Sequence, residues 1–380
     1  MQKQMIMVAT TASMIGQFNL DNIRLLIEMG YEVSVACNFK NGSSWNSDNS
    51  LDLNQYLNKI GVHCYNLPFS RSPLAIFENT RALLQLNSIF EKNKFKFVHC
   101  HTPMGGVISR LVANYHNVPT VYTAHGFHFF KGAPLKNWVV YYPVEKWLSS
   151  MTRILITINS QDFNIARRKF HSDKVVYIPG VGIDLQIFKK NNSQRKFTRK
   201  KLGLNDSQIM ILSVGELNLN KNQRIIIEAI NIIRNPKIKY FIVGIGSQCE
   251  NLKNLVAKYG LNDYIKFLGY RTDIADLDRA TDIFAFPSYR EGLGLSAIEA
   301  MASGAVLLTS NRGGITEYSI DGKTGYSYNP DDVNGFVSGI KQIANHSEFR
   351  RDISEQNVIF AKKYSKQHVQ NIMKKVYSQF

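Results

Sequence analysis

The sequence predicts an α/β protein made of two doubly wound, Rossmann-like domains. Three observations carry that expectation. Short apolar runs bounded by turn residues alternate with longer helical patterns, as in parallel sheets covered by helices. The alternation runs through one set of elements and then restarts. Between the sets lies IPGVGIDLQIFKKNNSQRKFTRK, rich in Gly, Pro and charged residues.

In the first set, buried strands are predicted over residues 5–9, 32–36, 97–100, 120–123 and 154–158, with helices such as 19–29 and 105–115 between them. Each strand is a continuous apolar run too short for a helix, the pattern of a strand covered on both faces. The second set has strands over 210–214, 240–243, 264–267, 283–286 and 305–309, separated by helices near 222–233, 249–259 and 295–302. The boundary falls near Phe188, giving domains 1–188 and 189–362 and a last helix over 363–380. Ligands of open α/β sheets sit outside the carboxyl ends of the strands, so two such domains imply a cleft between them.

The 380 residues include 44% hydrophobic and 20% charged side chains, which fits a globular chain long enough for two domains and argues against disorder. The start, MQKQMIMVATTASMIGQFNL, lacks the layout of a cleavable signal, and no apolar run is long enough to span a bilayer, so a cytoplasmic location is expected. Four scattered cysteines, Cys37, Cys64, Cys100 and Cys249, suggest neither a disulfide framework nor a thiolate zinc site. His99-Cys100-His101 looks metal-like, but neighbours on a strand point to opposite faces and share one ion poorly.

The net charge of +17 favours anionic partners. The basic clusters ARRKFHSDK and KKNNSQRKFTRKK lie beside no helix-turn-helix, zinc-finger or RNP-type motif, so nucleic acid is not expected. Anionic lipid or a phosphate-bearing ligand is the better reading, with a solvated linker as the plain alternative for the second cluster.

The strongest motif is SYREGLGLSAIEAMASG, directly after the apolar strand DIFAFP. A strand, a glycine-bearing turn and a helix start together offer free N–H groups and a helix dipole to an anion. Gly292, Leu293 and Gly294 are therefore placed to receive a diphosphate. Were the whole stretch helical, Glu291 and Glu299 would stand about 12 Å apart at about 1.5 Å per residue. That exceeds the roughly 5–9.5 Å of an acid–base pair acting on one glycosidic bond. Two grips on one long ligand fit better, the plainer alternative being that Glu299 caps or solvates the helix. VGIGSQ lacks the spacing and the ribose-binding acid of a nicotinamide site.

This stretch resembles the signature of glycosyltransferase family 4, retaining enzymes of the GT-B fold. The resemblance extends over nearly the whole chain, through HCHTPMGGVISRL, TAHGFHFFKGAPLKNW, SQDFNIARR, IPGVGIDLQIF, SVGELNLNKNQ, VGIGSQCENL and TSNRGGITE. In that combination it is similar to bacterial members that build capsular or exopolysaccharide repeat units. The resemblance implies a UDP-linked hexose or N-acetylhexosamine donor held mainly by 189–362, an acceptor held mainly by 1–188, and the last helix packing back on the first domain. It also implies transfer with retention, without a cofactor or a bound metal, to a lipid-diphosphate-linked sugar at the inner face of the cytoplasmic membrane.

Residue by residue, it assigns Glu291 to the donor-sugar hydroxyls and Glu299 to the ribose hydroxyls, tasks suited to acceptor-only carboxylates. Lys221, in the loop that starts at Gly215, would neutralise the departing diphosphate. His125, at a strand end before Gly126, would stabilise the transition state, so His125, Glu291 and Lys221 form the implied catalytic set. Gly16, in SMIGQF, matches a loop that approaches the donor phosphates, with an ordinary strand-to-helix turn as the alternative. Backbone at Tyr270 and Arg271 would hold a uracil-like edge. The chain departs from the pattern at Glu216, where many relatives have arginine; Arg290 and Arg312 are candidates to replace that cation. Ala305 stands where relatives often have proline. A nucleotide-sugar epimerase of the same architecture, or a noncatalytic nucleotide-sugar-binding subunit, are the rival readings.

Overall fold

The computed structural model describes residues 3–40, 47–130 and 132–380. Met1, Gln2 and Lys131, which fall within the quoted N-terminal and TAHGFHFFKGAPLKNW segments, lie outside the described residues. The chain divides into two compact units, Met1–Val181 with Gln367–Phe380, and Gly182–Lys366.

The first unit contains β1 (Lys3–Thr11), β2 (Tyr31–Asn38), β3 (His63–Asn66), β4 (Phe95–His101), β5 (Thr120–Ala124), β6 (Ile154–Thr157) and β7 (Lys174–Tyr177). They pair in the order β3-β2-β1-β4-β5-β6-β7, every pair parallel. From Met5 to Ala9 strand β1 is fully buried, which explains its unbroken apolar run. One core cluster gathers Ile6 and Val8 of β1, Val98 and Cys100 of β4, Leu155 of β6, and the helix residues Leu86, Ile108 and Val112.

The second unit contains β8 (Ile209–Val214), β9 (Ile238–Val243), β10 (Ile265–Gly269), β11 (Ile283–Phe286), β12 (Val306–Ser310) and β13 (Gly325–Tyr328). Their order is β10-β9-β8-β11-β12-β13, again all parallel. Ile211, Ile242, Ile283 and Leu308 of the sheet pack with Ile226, Ile230, Phe336 and Ile340 of the helices 223–233 and 333–345. In each sheet the chain winds outward from a central strand in one direction and then in the other. The switch lies between β1 and β4 in the first unit and between β8 and β11 in the second, and connections leaving such a pair diverge and open a crevice at the carboxyl edge.

Three strands have no counterpart in the sequence reading. β3 (HCYN), β7 (KVVY) and β13 (GYSY) are sheet edges with partly exposed residues, so none presents a continuous buried run. SMIGQF is also not a loop. Gly16 lies inside the helix Ala12–Phe18, which starts directly from β1 and buries Ala12, Ser13 and Ile15. The units part at Val181, before Phe188, and at Lys366, after residue 362. Backbone bonds between Ile183 N and Tyr364 O (2.8 Å) and between Lys366 N and Ile183 O (3.0 Å) fasten this crossing to the second unit.

The helix Lys366–Tyr377 belongs, from Gln367 onward, to the first unit. Its Tyr377 is fully buried, with the hydroxyl 2.9 Å from His99 Nδ1 and the ring stacked near Phe97 at 5.8 Å between centroids. His99 Nε2 meets Thr123 Oγ1 at 2.8 Å, so both imidazole nitrogens are used. Tyr377→Phe leaves one of them unpaired in a dry setting and should cost about 1–3 kcal/mol, read as a lower urea midpoint for the first unit. An unchanged midpoint would mean that the His99–Tyr377 bond does not hold the terminal helix.

Candidate functional site

In the second unit the carboxyl edge of the sheet brings three connections together. β8 runs into Gly215, and Gly215 N donates to Val243 O (3.0 Å) at the end of β9. Gly244 N donates to Gly269 O (2.8 Å) at the end of β10. After Gly215 the chain forms the short turn Leu219–Lys221, whose start is fixed by Asn218 accepting from Lys221 N at 3.0 Å. This turn docks on the connection after β11. Asn220 Nδ2 donates to Arg290 O at 2.9 Å, and Tyr289 N donates to Asn220 O at 2.8 Å.

That docking places Lys221 against Glu291. Nζ stands 2.6 Å from Oε1, both side chains are mostly covered, and the ammonium lies 4.8 Å from the centre of the Phe286 ring. Residues read separately from the sequence, on segments 70 positions apart, thus form one charge pair. Gly215 borders it, since a Cβ there would point at the Lys221 side chain. Glu291 is not helical. It sits in the turn that precedes the helix Leu295–Ala302, while Glu299 lies within that helix, so the pair occupies two different local environments.

The glycines of this turn are required by space. Gly294 has φ +91°, and a Cβ there would meet Phe286 Cε1 at 2.6 Å and the Tyr318 hydroxyl at 2.8 Å. Gly314 packs so closely that a Cβ would fall 1.9 Å from Gly292 O, and its N–H donates to Glu291 O at 3.0 Å. The Leu293 side chain is buried, so only its backbone is on offer to a ligand. The opening N–H groups of helix Leu295–Ala302 have no side-chain cap, the state of a helix start that accepts an anion.

Burial pushes the Glu299 carboxyl up to about 7, against the pull of Lys366. Its neighbour Asp278 is fully buried, and neither carboxyl oxygen has a hydrogen-bond partner among the described residues. Burial first, and then the Glu299 charge, raise the Asp278 carboxyl well above the carboxylate range. The sequence reading missed Asp278 and Lys366. Asp278 reads as one more helix acid in DLDRA, and only its buried environment distinguishes it.

Tyr270 and Arg271 follow β10 directly. Tyr270 is exposed, and Arg271 is clamped by Asp273, Nε to Oδ1 at 2.7 Å, so its guanidinium is already engaged. Of the cations considered in place of the missing arginine, Arg312 is exposed and precedes the Gly313–Gly314 pair that packs on Glu291; Arg290 sits in the turn itself. Glu216 is exposed, and its backbone oxygen accepts from Gln223 at 3.2 Å.

In the first unit His125 stands at the carboxyl end of β5, and its Nε2 lies 3.2 Å from Nδ1 of His101, the last residue of β4. His125 Nδ1 is thus the ring nitrogen left for a ligand. Burial lowers the His125 pKa to about 4 and that of His101 well below its ordinary value, so both rings are neutral at pH 7. The Phe18 ring, from the helix that carries Gly16, lies 6.2 Å from the His125 ring. Among the described residues no group of three His, Cys, Asp or Glu side chains is placed to hold a metal ion.

Residues 15–186 match the model described as Glycosyltransferase Family 4, and residues 194–358 match Glycosyl transferases group 1. EpsD of Bacillus subtilis, provisionally named a glycosyltransferase, is 31% identical over all of this chain and 97% of its own length. An Escherichia coli enzyme named UDP-Gal:alpha-D-GlcNAc-diphosphoundecaprenol alpha-1,3-galactosyltransferase is 28% identical over 77% of each chain. Among solved structures, Anabaena HepE in complex with UDP and glucose superposes with a TM-score of 0.80 at 17% identity over the full length of both chains. The chain therefore belongs to the family 4 glycosyltransferases, with the two parallel-sheet Rossmann-like domains of the GT-B fold.

Proposed function

We propose that this glycosyltransferase moves a hexose or N-acetylhexosamine from a UDP-sugar, with retention at the anomeric carbon, onto a lipid-diphosphate-linked saccharide in capsular or exopolysaccharide synthesis. The observation that carries the reading is the Lys221–Glu291 pair, 2.6 Å apart beside an uncapped helix start. An ammonium has three N–H donors, so Lys221 holds Glu291 with one and offers the others to diphosphate oxygens. Glu291 then presents its second oxygen to sugar hydroxyls, fixed in place by the lysine that steadies the leaving group. The amides of Gly292, Leu293 and Gly294 and the cation Arg312 supply the remaining stabilisation, electrostatic work that a divalent ion does in other transferases. His125 is assigned, as a neutral ring, to the reacting end of the sugar.

The acceptor reading draws on the E. coli relative, whose name gives a diphosphoundecaprenol-linked sugar as its acceptor. It is also supported by the helix Leu135–Ser149, which exposes Leu135, Val139, Val140, Val144 and Trp147. Exposed aliphatic and Trp side chains together suit the interfacial region of a bilayer. No helix among the described residues is long and apolar enough to cross a membrane, so the contact proposed is peripheral, at the cytoplasmic face.

Incubation of the purified protein with a panel of UDP-sugars and a lipid-diphosphate-linked acceptor, read by product mass, should give one new glycoside and free UDP. Glu291→Ala should lower turnover by about 100-fold or more with unchanged circular dichroism, and Lys221→Ala should weaken UDP binding by about tenfold. Isomerised free donor would indicate an epimerase, and donor binding without product from any acceptor a binding subunit; either contradicts the proposal. An ionised carboxylate accepts from the two ribose hydroxyls more strongly than the protonated acid, and Glu299 has its pKa at about 7. UDP binding should therefore tighten as pH rises from about 6 to 8, and Glu299→Gln should flatten that dependence. Equal pH slopes in the two proteins would remove Glu299 from the ribose.

A further inference from the structure

The basic cluster around residues 189–201 takes no part in the donor site, yet it borders a cavity of about 260 Å³ in the second unit. The cavity lies at the amino edge of the sheet, where Asp282 precedes β11 and Val306 opens β12. The donor-site residues Gly215 and Glu291 follow the carboxyl ends of β8 and β11, so the two places occupy opposite edges of one parallel sheet.

Five cations border the cavity, Lys190, Arg195, Arg279, Arg350 and Arg351, against a single carboxylate, Asp282. Asp282 is already shared between Arg195 (2.6 Å) and Arg199 (2.9 Å) and has no charge left for the cavity. Arg279 is spent on Asp276 and on the backbone oxygens of Lys189 and Ile187. Arg351 is paired with Glu348 at 3.6 Å and with Asp352 at 3.4 Å, which leaves Lys190 and Arg350. Among the described residues Lys190 Nζ meets only the Ser354 hydroxyl at 3.1 Å, and Arg350 Nη1 only the carbonyls of Ile343 and Ala344. Neither has a carboxylate partner among the described residues.

Two helix starts reach the same cavity. Asn191 and Asn192 open the helix Asn192–Lys201, where Asn191 Oδ1 already accepts from Gln194 N at 3.0 Å, and Ser347 opens the helix Ser347–Phe360, for which no side-chain cap is found among the described residues. Independently of both, Ser303 lines the cavity at 4% exposure, and its hydroxyl has no hydrogen-bond partner among the described residues. A buried hydroxyl without a partner is uncommon. Here the residue lines a cavity that two cations without carboxylate partners and the uncapped start of helix Ser347–Phe360 also border, a combination suited to phosphate.

We infer that this cavity is a second anion site, separate from the donor site, that takes a phosphate or diphosphate group. Lys190 and Arg350 supply the charge and Ser303 a neutral donor. Such a group occurs both in soluble phosphorylated compounds and in the headgroups of anionic lipids, and one set of variants separates the two. Inorganic pyrophosphate titrated calorimetrically into the whole protein should bind at a site that Lys190→Glu and Ser303→Ala each weaken by about tenfold. Lys190→Arg should keep that binding, as should Lys221→Ala, which alters only the donor edge. Sedimentation with phosphatidylglycerol vesicles forms the second arm. Vesicle binding that Lys190→Glu abolishes and pyrophosphate displaces assigns a lipid headgroup; vesicle binding insensitive to both, with pyrophosphate binding that depends on Lys190, assigns a soluble ligand. Absence of pyrophosphate binding, or binding lost in Lys221→Ala and unaffected by Lys190→Glu, would overturn the inference.

Discussion

Everything proposed for the donor depends on the neighbourhood of β8 and β11 in the second sheet. Because that sheet is parallel and reverses its winding between these strands, the connections that leave them diverge from adjacent starting points. One carries Lys221 and the other Glu291, and the bonds from Tyr289 N to Asn220 O and from Asn220 Nδ2 to Arg290 O lock the two connections together before any charge is considered. The ion pair is a consequence of that docking. It also leaves the carboxylate oriented and the ammonium with donors to spare, the preorganisation that stabilises a departing diphosphate. The glycines serve the same constraint, since side chains at Gly294 or Gly314 would push apart the turn, Phe286 and the backbone at Gly292.

The first unit shows a different use of burial. His99, His101 and His125 lie on neighbouring strand ends, and desolvation lowers the pKa of all three, to about 3 for His99 and about 4 for His125. His99 is wholly occupied by Thr123 and Tyr377 and acts as the anchor of the terminal helix. His125 spends one nitrogen on His101 and keeps the other. Neutral imidazoles in this arrangement orient one another through a single shared proton and bring no positive charge to the strand ends of the first unit.

How much of this is legible in the sequence follows from how local each cause is. Strands such as β1, β8 and β11 are covered on both faces and announce themselves as apolar runs, so the repeated α/β pattern and the two-domain fold are readable. The edge strands β3, β7 and β13 are half covered and leave no such signature. The stretch around Glu291 is readable as a turn and a helix start because strand, glycines and helix are contiguous there. Gly16 is misplaced as a loop residue because Ala12 and Ile15 find a core that only the folded sheet provides. The unpartnered Asp278, the pull of Lys366 on Glu299, the His101–His125 contact and the orphaned Ser303 hydroxyl all arise between residues distant in sequence. No spacing rule reaches them.

The most direct test of the account is a crystal structure of the protein with an intact, non-transferable UDP-sugar analogue. The account predicts diphosphate oxygens within hydrogen-bond distance of Lys221 Nζ and of the amides at Gly292–Gly294, sugar hydroxyls on Glu291, and ribose hydroxyls on Glu299. A donor whose diphosphate makes no contact with Lys221 or these amides, leaving the Lys221–Glu291 pair closed on itself, would contradict it.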